Sequence, residues 1–179
     1  GRPPLESGGT CSQAAAFRIL THCASPFAMD ISIRRAALSD LDTLVAFNAA
    51  MARETEDKPL DEETVRAGIR ALLHDEQKGR YWVATAGDGA VVGTLMCTTE
   101  WSDWRNGQFW WIQSVYVRPE ARRQGEFTAL YGHVHAAATR APDVCGLRLY
   151  VDKENAAAQA TYEALGMAQT DYRMYEVEV

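Results

Sequence analysis

The chain has 179 residues, 47% of them hydrophobic and 23% charged, with a formal net charge of −6. That is the composition of an ordinary globular protein with one sizeable core, and its acidic balance argues against a general nucleic-acid binder. No apolar run approaches the ~20 residues that a membrane-spanning helix needs.

Residues 1–28 are rich in Gly, Pro, Ser and Ala and show no clear period. They are expected to be an extension, disordered or foreign to the domain, which would then span residues 29–179. From Met29 the pattern becomes regular. "ISIRRA" alternates and predicts a first strand. Ser39 is placed to cap a helix carrying Leu41, Leu44, Val45 and Asn48 at helical spacing, and Lys58-Pro59 breaks it. Asp61 is placed to cap a second helix, with Val65, Ile69, Leu72 and Leu73 on one face.

"RYWVATA" and "AVVGTLMCTTEW" read as strands joined by a tight "GDG" turn. After "SDWRNG" comes the long strand "QFWWIQSVYV". A basic turn follows. Then Phe127, Leu130, Tyr131, Val134 and Ala138 make a helical stripe. "GLRLYV" predicts a strand, and "NAAAQATYEALG" a short helix ended by Gly166. "AQTDYRMYEVEV" predicts one bent strand or two short ones. The order implies a mixed α/β (α+β) domain, with an antiparallel meander first and a β-α-β crossover later.

The turn "VRPEARRQGEFTAL" joins a strand end to a helix start. Helix N-termini leave backbone N–H groups unpaired and carry partial positive charge, so such a turn is a cradle for anions. Gly125 permits a close backbone approach, and Arg122 and Arg123 add fork-shaped donors. A pyrophosphate fits these needs. A strand-to-helix turn with solvated arginines fits them about as well. No G-x-x-x-x-G-K-[ST] and no G-x-G-x-x-G occurs, so the turn is neither a P-loop nor a dinucleotide fingerprint.

The run Arg122-Arg123-Gln124-Gly125-Glu126-Phe127 resembles the [QR]-x-x-G-x-[GA] signature of the GNAT superfamily of N-acetyltransferases, with Phe127 where the signature has Gly or Ala. "NAAAQATYEALGM" resembles a later motif of the same family, and the element order is similar throughout residues 30–179. The resemblance implies a mostly antiparallel central sheet of six to seven strands flanked by about four helices. It implies acetyl-CoA as donor and a primary amine as acceptor. The pantetheine arm is expected along Val115, Tyr116 and Val117, and the pyrophosphate on Arg122, Arg123, Gln124, Gly125, Glu126, Phe127 and Thr128. Asn155 is expected to cap its helix and to approach the cofactor.

Tyr162 matches the family's general acid. The chemistry agrees, because a thiolate must leave, and a phenol near pKa ~10 gives a proton to a thiolate whose acid has pKa ~8.5 with only a modest uphill step. Without the family, a core tyrosine is the commoner reading. A base for the incoming ammonium is harder to find. Glu100, Gln113 and Ser114 are candidates by position, the last two only as holders of a water. A rival from another class is a catalytically inactive acyl-CoA-binding sensor or interaction module of the same fold.

"ETEDKPLDEE" between the first two helices concentrates acid and can attract a cationic amine, or can simply be solvated. Trp101, Trp104, Trp110 and Trp111 form a dense aromatic group that suits either an acceptor cleft or core plus a homodimer contact. His133 and His135 are two apart on a helix and do not share a face, so no metal site is expected. The four cysteines, Cys11, Cys23, Cys97 and Cys145, lack C-x-x-C spacing. They read as small buried residues or idle thiols in a reducing cytoplasm.

Overall fold

Apolar side chains on both faces of the central strands make one sheet carry two cores. The computed structural model describes residues 30–177 and 179. The expected extension, residues 1–28, lies outside the described residues. The elements are β1 (Ser32–Arg35), α1 (Leu41–Glu56), α2 (Glu62–His74), β2 (Arg80–Thr85), β3 (Val91–Ser102), β4 (Gly107–Val117), α3 (Glu126–Arg140), β5 (Val144–Arg148) and α4 (Ala156–Ala164). The sheet order is β1-β2-β3-β4-β5. The first four strands pair antiparallel, and β5 pairs parallel to β4 after the crossover through α3.

Strand β2 shows how the layers arise. Tyr81 and Val83 point to one face and pack with Leu41, Leu44 and Val45 of α1 and Ile69 and Leu72 of α2. Trp82 and Ala84 point to the other and pack with Leu130, Val134 and Ala138 of α3. The period of two makes this division unavoidable once both faces are covered.

Asp61 caps α2 as expected, accepting the Thr64 N–H at 2.9 Å. Gly166 follows α4 with φ +85°, the left-handed conformation that ends a helix. The start of α1 differs from expectation. A short 3-10 turn, Leu38–Asp40, precedes the helix. Asp40, not Ser39, is the organising side chain. It is buried, accepts the Ala37 N–H at 2.7 Å, and takes two hydrogen bonds from the Arg34 guanidinium at 2.7 and 2.8 Å. A carboxylate bridging two segments is held more strongly than a lone hydroxyl.

The expected six to seven strands become five among the described residues. "GLRLYV" forms a strand only as far as Arg148, and the segment after Met167 carries no strand. Tyr172, Met174, Tyr175 and Val177 of that segment are exposed. An alternating sequence is a strand only where a neighbouring edge takes its hydrogen bonds, and here none does. The four α-helices match the expectation.

Candidate active site

Two irregularities in β4 open the site. The first is a bulge. Thr94 pairs with Tyr116 but Met96 pairs with Gln113, so Ser114 and Val115 together oppose Leu95. Ser114 takes φ +47° to make this possible. The second is a fork. Pairing of β4 with β5 runs only from Gln108–Val144 to Trp111–Arg148. Beyond Trp111 the β4 edge facing β5 is free.

Below the fork lies a cleft of about 410 Å³, lined by Val115 and Val117, by the loop and first turn of α3, and by Ala158, Thr161 and Tyr162 of α4. Alternation sends Val115 and Val117 into this cleft. Tyr116 goes the other way and donates its hydroxyl to Glu54 Oε1 at 3.0 Å. Tyr116, expected beside the pantetheine arm, is not among the lining residues, and its ring serves the α1 side.

The loop is built for close backbone approach. Gly125 is the N-cap of α3 with φ +99°, and no atom lies within 4 Å of where its Cβ would stand. Arg123 also takes a left-handed conformation, φ +66°. The first helical bond is Ala129 N–H to the Gly125 carbonyl at 2.8 Å. The N–H groups of Glu126, Phe127 and Thr128 thus stand in the first turn, which has no acceptor one turn back. Of the residues assigned to the pyrophosphate, Arg123, Gly125, Glu126, Phe127 and Thr128 line the cleft with Arg122; Gln124 does not. Its side chain instead bonds to the Glu120 carbonyl at 3.1 Å.

Phe127 settles into the wall of the cleft. Its ring meets Tyr131 at 6.2 Å and Tyr162 edge-on at 5.8 Å. A large side chain at this position packs sideways against aromatic partners. Arg122 lines the cleft but spends its guanidinium elsewhere. Nε donates to the Val117 carbonyl at 2.8 Å, and a terminal nitrogen donates to Glu54 Oε2 at 2.6 Å. That hydrogen bond from Arg122 also holds the Glu54 carboxyl below its ordinary range.

Tyr162 lies on the cleft, and burial raises its phenol above the ordinary value. Ala158, one turn earlier, shares its helix face, and Thr161 lines the cleft beside it. Reading the helical period backward from Tyr162 would have found Ala158. Asn155 caps α4, accepting the Ala158 N–H at 3.0 Å. Glu54 belongs to the acidic stretch read from the sequence, but no local pattern announced its bonds to Tyr116 and Arg122.

The three base candidates do not gather. Glu100 accepts from Trp111 Nε1 and from Arg148, the latter at 2.7 Å. Gln113 donates to Thr98 at 2.7 Å. Ser114 sits at the bulge beside Val115; Tyr81 nearby on the α1 side takes a hydrogen bond from Asn48 Nδ2 at 3.3 Å, and burial raises its phenol. The acidic segment is partly spoken for. Glu54 holds the loop, Asp61 caps α2, and Glu62 pairs with Arg66. Glu56, Asp57 and Glu63 remain exposed. Among the aromatics, Trp110 is core, whereas Trp101 and Trp104 are exposed by 60% and 87%. Among the described residues, no group of three or more His, Cys, Asp or Glu could hold a metal ion, and no helix is long and apolar enough to cross a membrane. Cys97 is buried and its thiol is pushed up to about 12, while Cys145 is exposed.

A forked sheet, a bulged strand and an anion-ready helix start define a class of transferase, and comparison with known proteins identifies it. The model of the acetyltransferase (GNAT) family matches residues 44–167. A possible acetyltransferase from Clostridium difficile 630 is 51% identical, with TM-score 0.78, covering 83% of this chain and 97% of that one. A predicted acetyltransferase from Clostridium acetobutylicum, solved with acetyl-CoA, shares the fold at 17% identity and TM-score 0.69, over 82% and 96% of the two chains. An aminoglycoside N-acetyltransferase in complex with CoA shares it at 16% identity and TM-score 0.69, over 87% and 99%. No curated protein matches the sequence. The chain belongs to the GNAT family and is an N-acetyltransferase.

Proposed function

We propose that the protein transfers the acetyl group of acetyl-CoA to a primary amine by direct attack, with no covalent enzyme intermediate. The observation that carries this reading is the single cleft in which Val115, the α3 first turn and Tyr162 meet. The pyrophosphate takes the backbone N–H groups of residues 125–128, where the helix terminus favours an anion. The pantetheine arm follows the unpaired edge at Val115 and Val117. The acetyl group then reaches the bulge at Ser114–Val115, where the backbone is turned out of the ladder.

The acceptor loses its ammonium proton to solvent, because Glu100 and Gln113 are held by other partners. The free amine attacks the thioester carbon, forming the C–N bond. A backbone N–H near Val115 steadies the oxyanion. The C–S bond breaks, the CoA thiolate takes the proton of the Tyr162 hydroxyl, and the proton shed by the newly acylated nitrogen returns through solvent to the tyrosinate. Burial raises the phenol above its ordinary value, so it holds that proton at neutral pH. The inactive-module alternative finds no support in these features.

The exposed acids Glu56 and Asp57, at the end of α1, favour a cationic acceptor. The reading places the reaction in the cytoplasm, where acetyl-CoA is at hand and thiols stay reduced. A homodimer through the exposed Trp101 and Trp104 belongs to the same reading, and light scattering tests it. The test of function is CoA-thiol release from acetyl-CoA with a panel of cationic and neutral amines. Release with cationic amines supports the reading. No release, together with no rise in melting temperature on adding acetyl-CoA, would overturn it.

A further inference from the structure

Glu126 is a carboxylate in a place that asks for none. It opens α3, is only 1% exposed, and borders the cleft beside Gly125 and Phe127. Its Oε2 accepts the Gln124 N–H at 3.2 Å. Its Oε1 is buried and has no hydrogen-bond partner, the only such side-chain atom among the described residues. Among the described residues no arginine forms an ion pair with it. Arg118 pairs with Glu120, and Arg122 pairs with Glu54.

A helix start attracts one anion well. Here the protein has placed its own anion there, and it has claimed one N–H of the loop. A pyrophosphate arriving at the same turn meets a fixed negative charge at short range, in surroundings that screen it poorly. An apolar or amide side chain would leave the whole positive end of α3 to the cofactor.

We propose that Glu126 is an affinity-setting residue: its buried charge competes with the cofactor's pyrophosphate for the α3 N-terminus and keeps acetyl-CoA binding weak. The proposal rests on the cofactor reading above. Its consequence is fast release of CoA after transfer. The charge acts on the phosphates alone, so a ligand without them is blind to it.

The experiment compares wild type with Glu126→Gln by titration calorimetry, using acetyl-CoA and S-acetylpantetheine, which lacks the pyrophosphate. Glutamine keeps the shape and can still accept the Gln124 N–H. Acetyl-CoA is expected to bind the variant at least about tenfold more tightly, the scale of one removed charge at an effective dielectric near 20. S-acetylpantetheine is expected to bind both proteins equally. Equal or weaker acetyl-CoA binding by the variant overturns the proposal, as does an equal gain for both ligands. If wild type and variant both fail to bind acetyl-CoA, the cofactor reading falls and this inference falls with it. Should Glu126→Gln not fold, Glu126→Met fills a similar volume without charge and carries the same expectation.

Discussion

Arg122 and Glu54 meet at 2.6 Å across 68 residues of sequence, joining the loop that opens α3 to the last turns of α1. The pair also closes over Tyr116, whose ring lies 5.4 Å from the guanidinium carbon. The arginine that a sequence reading assigns to phosphate is thus a strut between the loop before α3 and α1.

Both partners of that strut are about 40% exposed, so its energy is small. A double-mutant cycle of Arg122→Ala and Glu54→Gln is expected to give a coupling of about 0.2–1 kcal/mol, shrinking as salt rises. Arg122→Ala is expected to raise KM for acetyl-CoA severalfold through a looser loop. A loss of binding as large in Glu54→Gln as in Arg122→Ala would mark the strut as the cause. Loss confined to Arg122→Ala would mean that the guanidinium turns to the phosphate when cofactor binds.

Tyr162→Phe removes one hydroxyl and leaves the ring packed on Phe127. The expected result is a kcat lower by about 10²–10⁴ with acetyl-CoA affinity unchanged. Stopped-flow turnover beside equilibrium binding checks both halves. A general acid works below its pKa, and burial raises that of Tyr162. Loss of kcat from its ionisation is therefore expected only above pH ~10. A kcat unchanged in Tyr162→Phe would remove the residue from the mechanism.

Asp40 supplies a pH dependence of folding. The Arg34 hydrogen bonds hold its carboxyl below the usual range, against the opposing effect of burial. A carboxyl depressed in the folded state contributes its stability fully above its unfolded pKa of ~3.9 and loses it as pH falls through the lower folded value. Asp40→Asn is expected to cost about 1–3 kcal/mol at pH 7. It is also expected to be less destabilised than wild type on going from pH 5 to pH 2. Urea unfolding across that range measures both, and parallel curves for the two proteins would contradict the assignment.

Leu130 is fully buried at the centre of the α3 face of the sheet. Leu130→Ala is expected to cost about 2–5 kcal/mol, because the rigid surroundings on β3 and β4 fill the void only in part. Thermal unfolding reads the loss. A smaller cost would mean that α3 shifts toward the sheet. The cleft is walled by the first turn of the same helix, so acetyl-CoA affinity would then change as well.

The sequence by itself determined the order of the elements as far as α4, the cap at Asp61, the bends at Gly125 and Gly166, and the placing of Tyr162 on a short helix. Each depends on residues within a few positions of one another, where period, capping chemistry and backbone sterics suffice. It did not determine which groups are already satisfied. Glu100 looked free until Trp111 and Arg148 were found holding it, and Arg122 looked free until Glu54 was found across 68 residues. The bulge at Ser114 and the fork after Trp111 were likewise decided by neighbouring strands. The missing last strand has the same cause. Alternation in "DYRMYEVEV" offers a strand, but only a paired edge makes one. Hydrogen bonds and burial belong to pairs of groups, and the pairing of distant groups is what the tertiary structure decides.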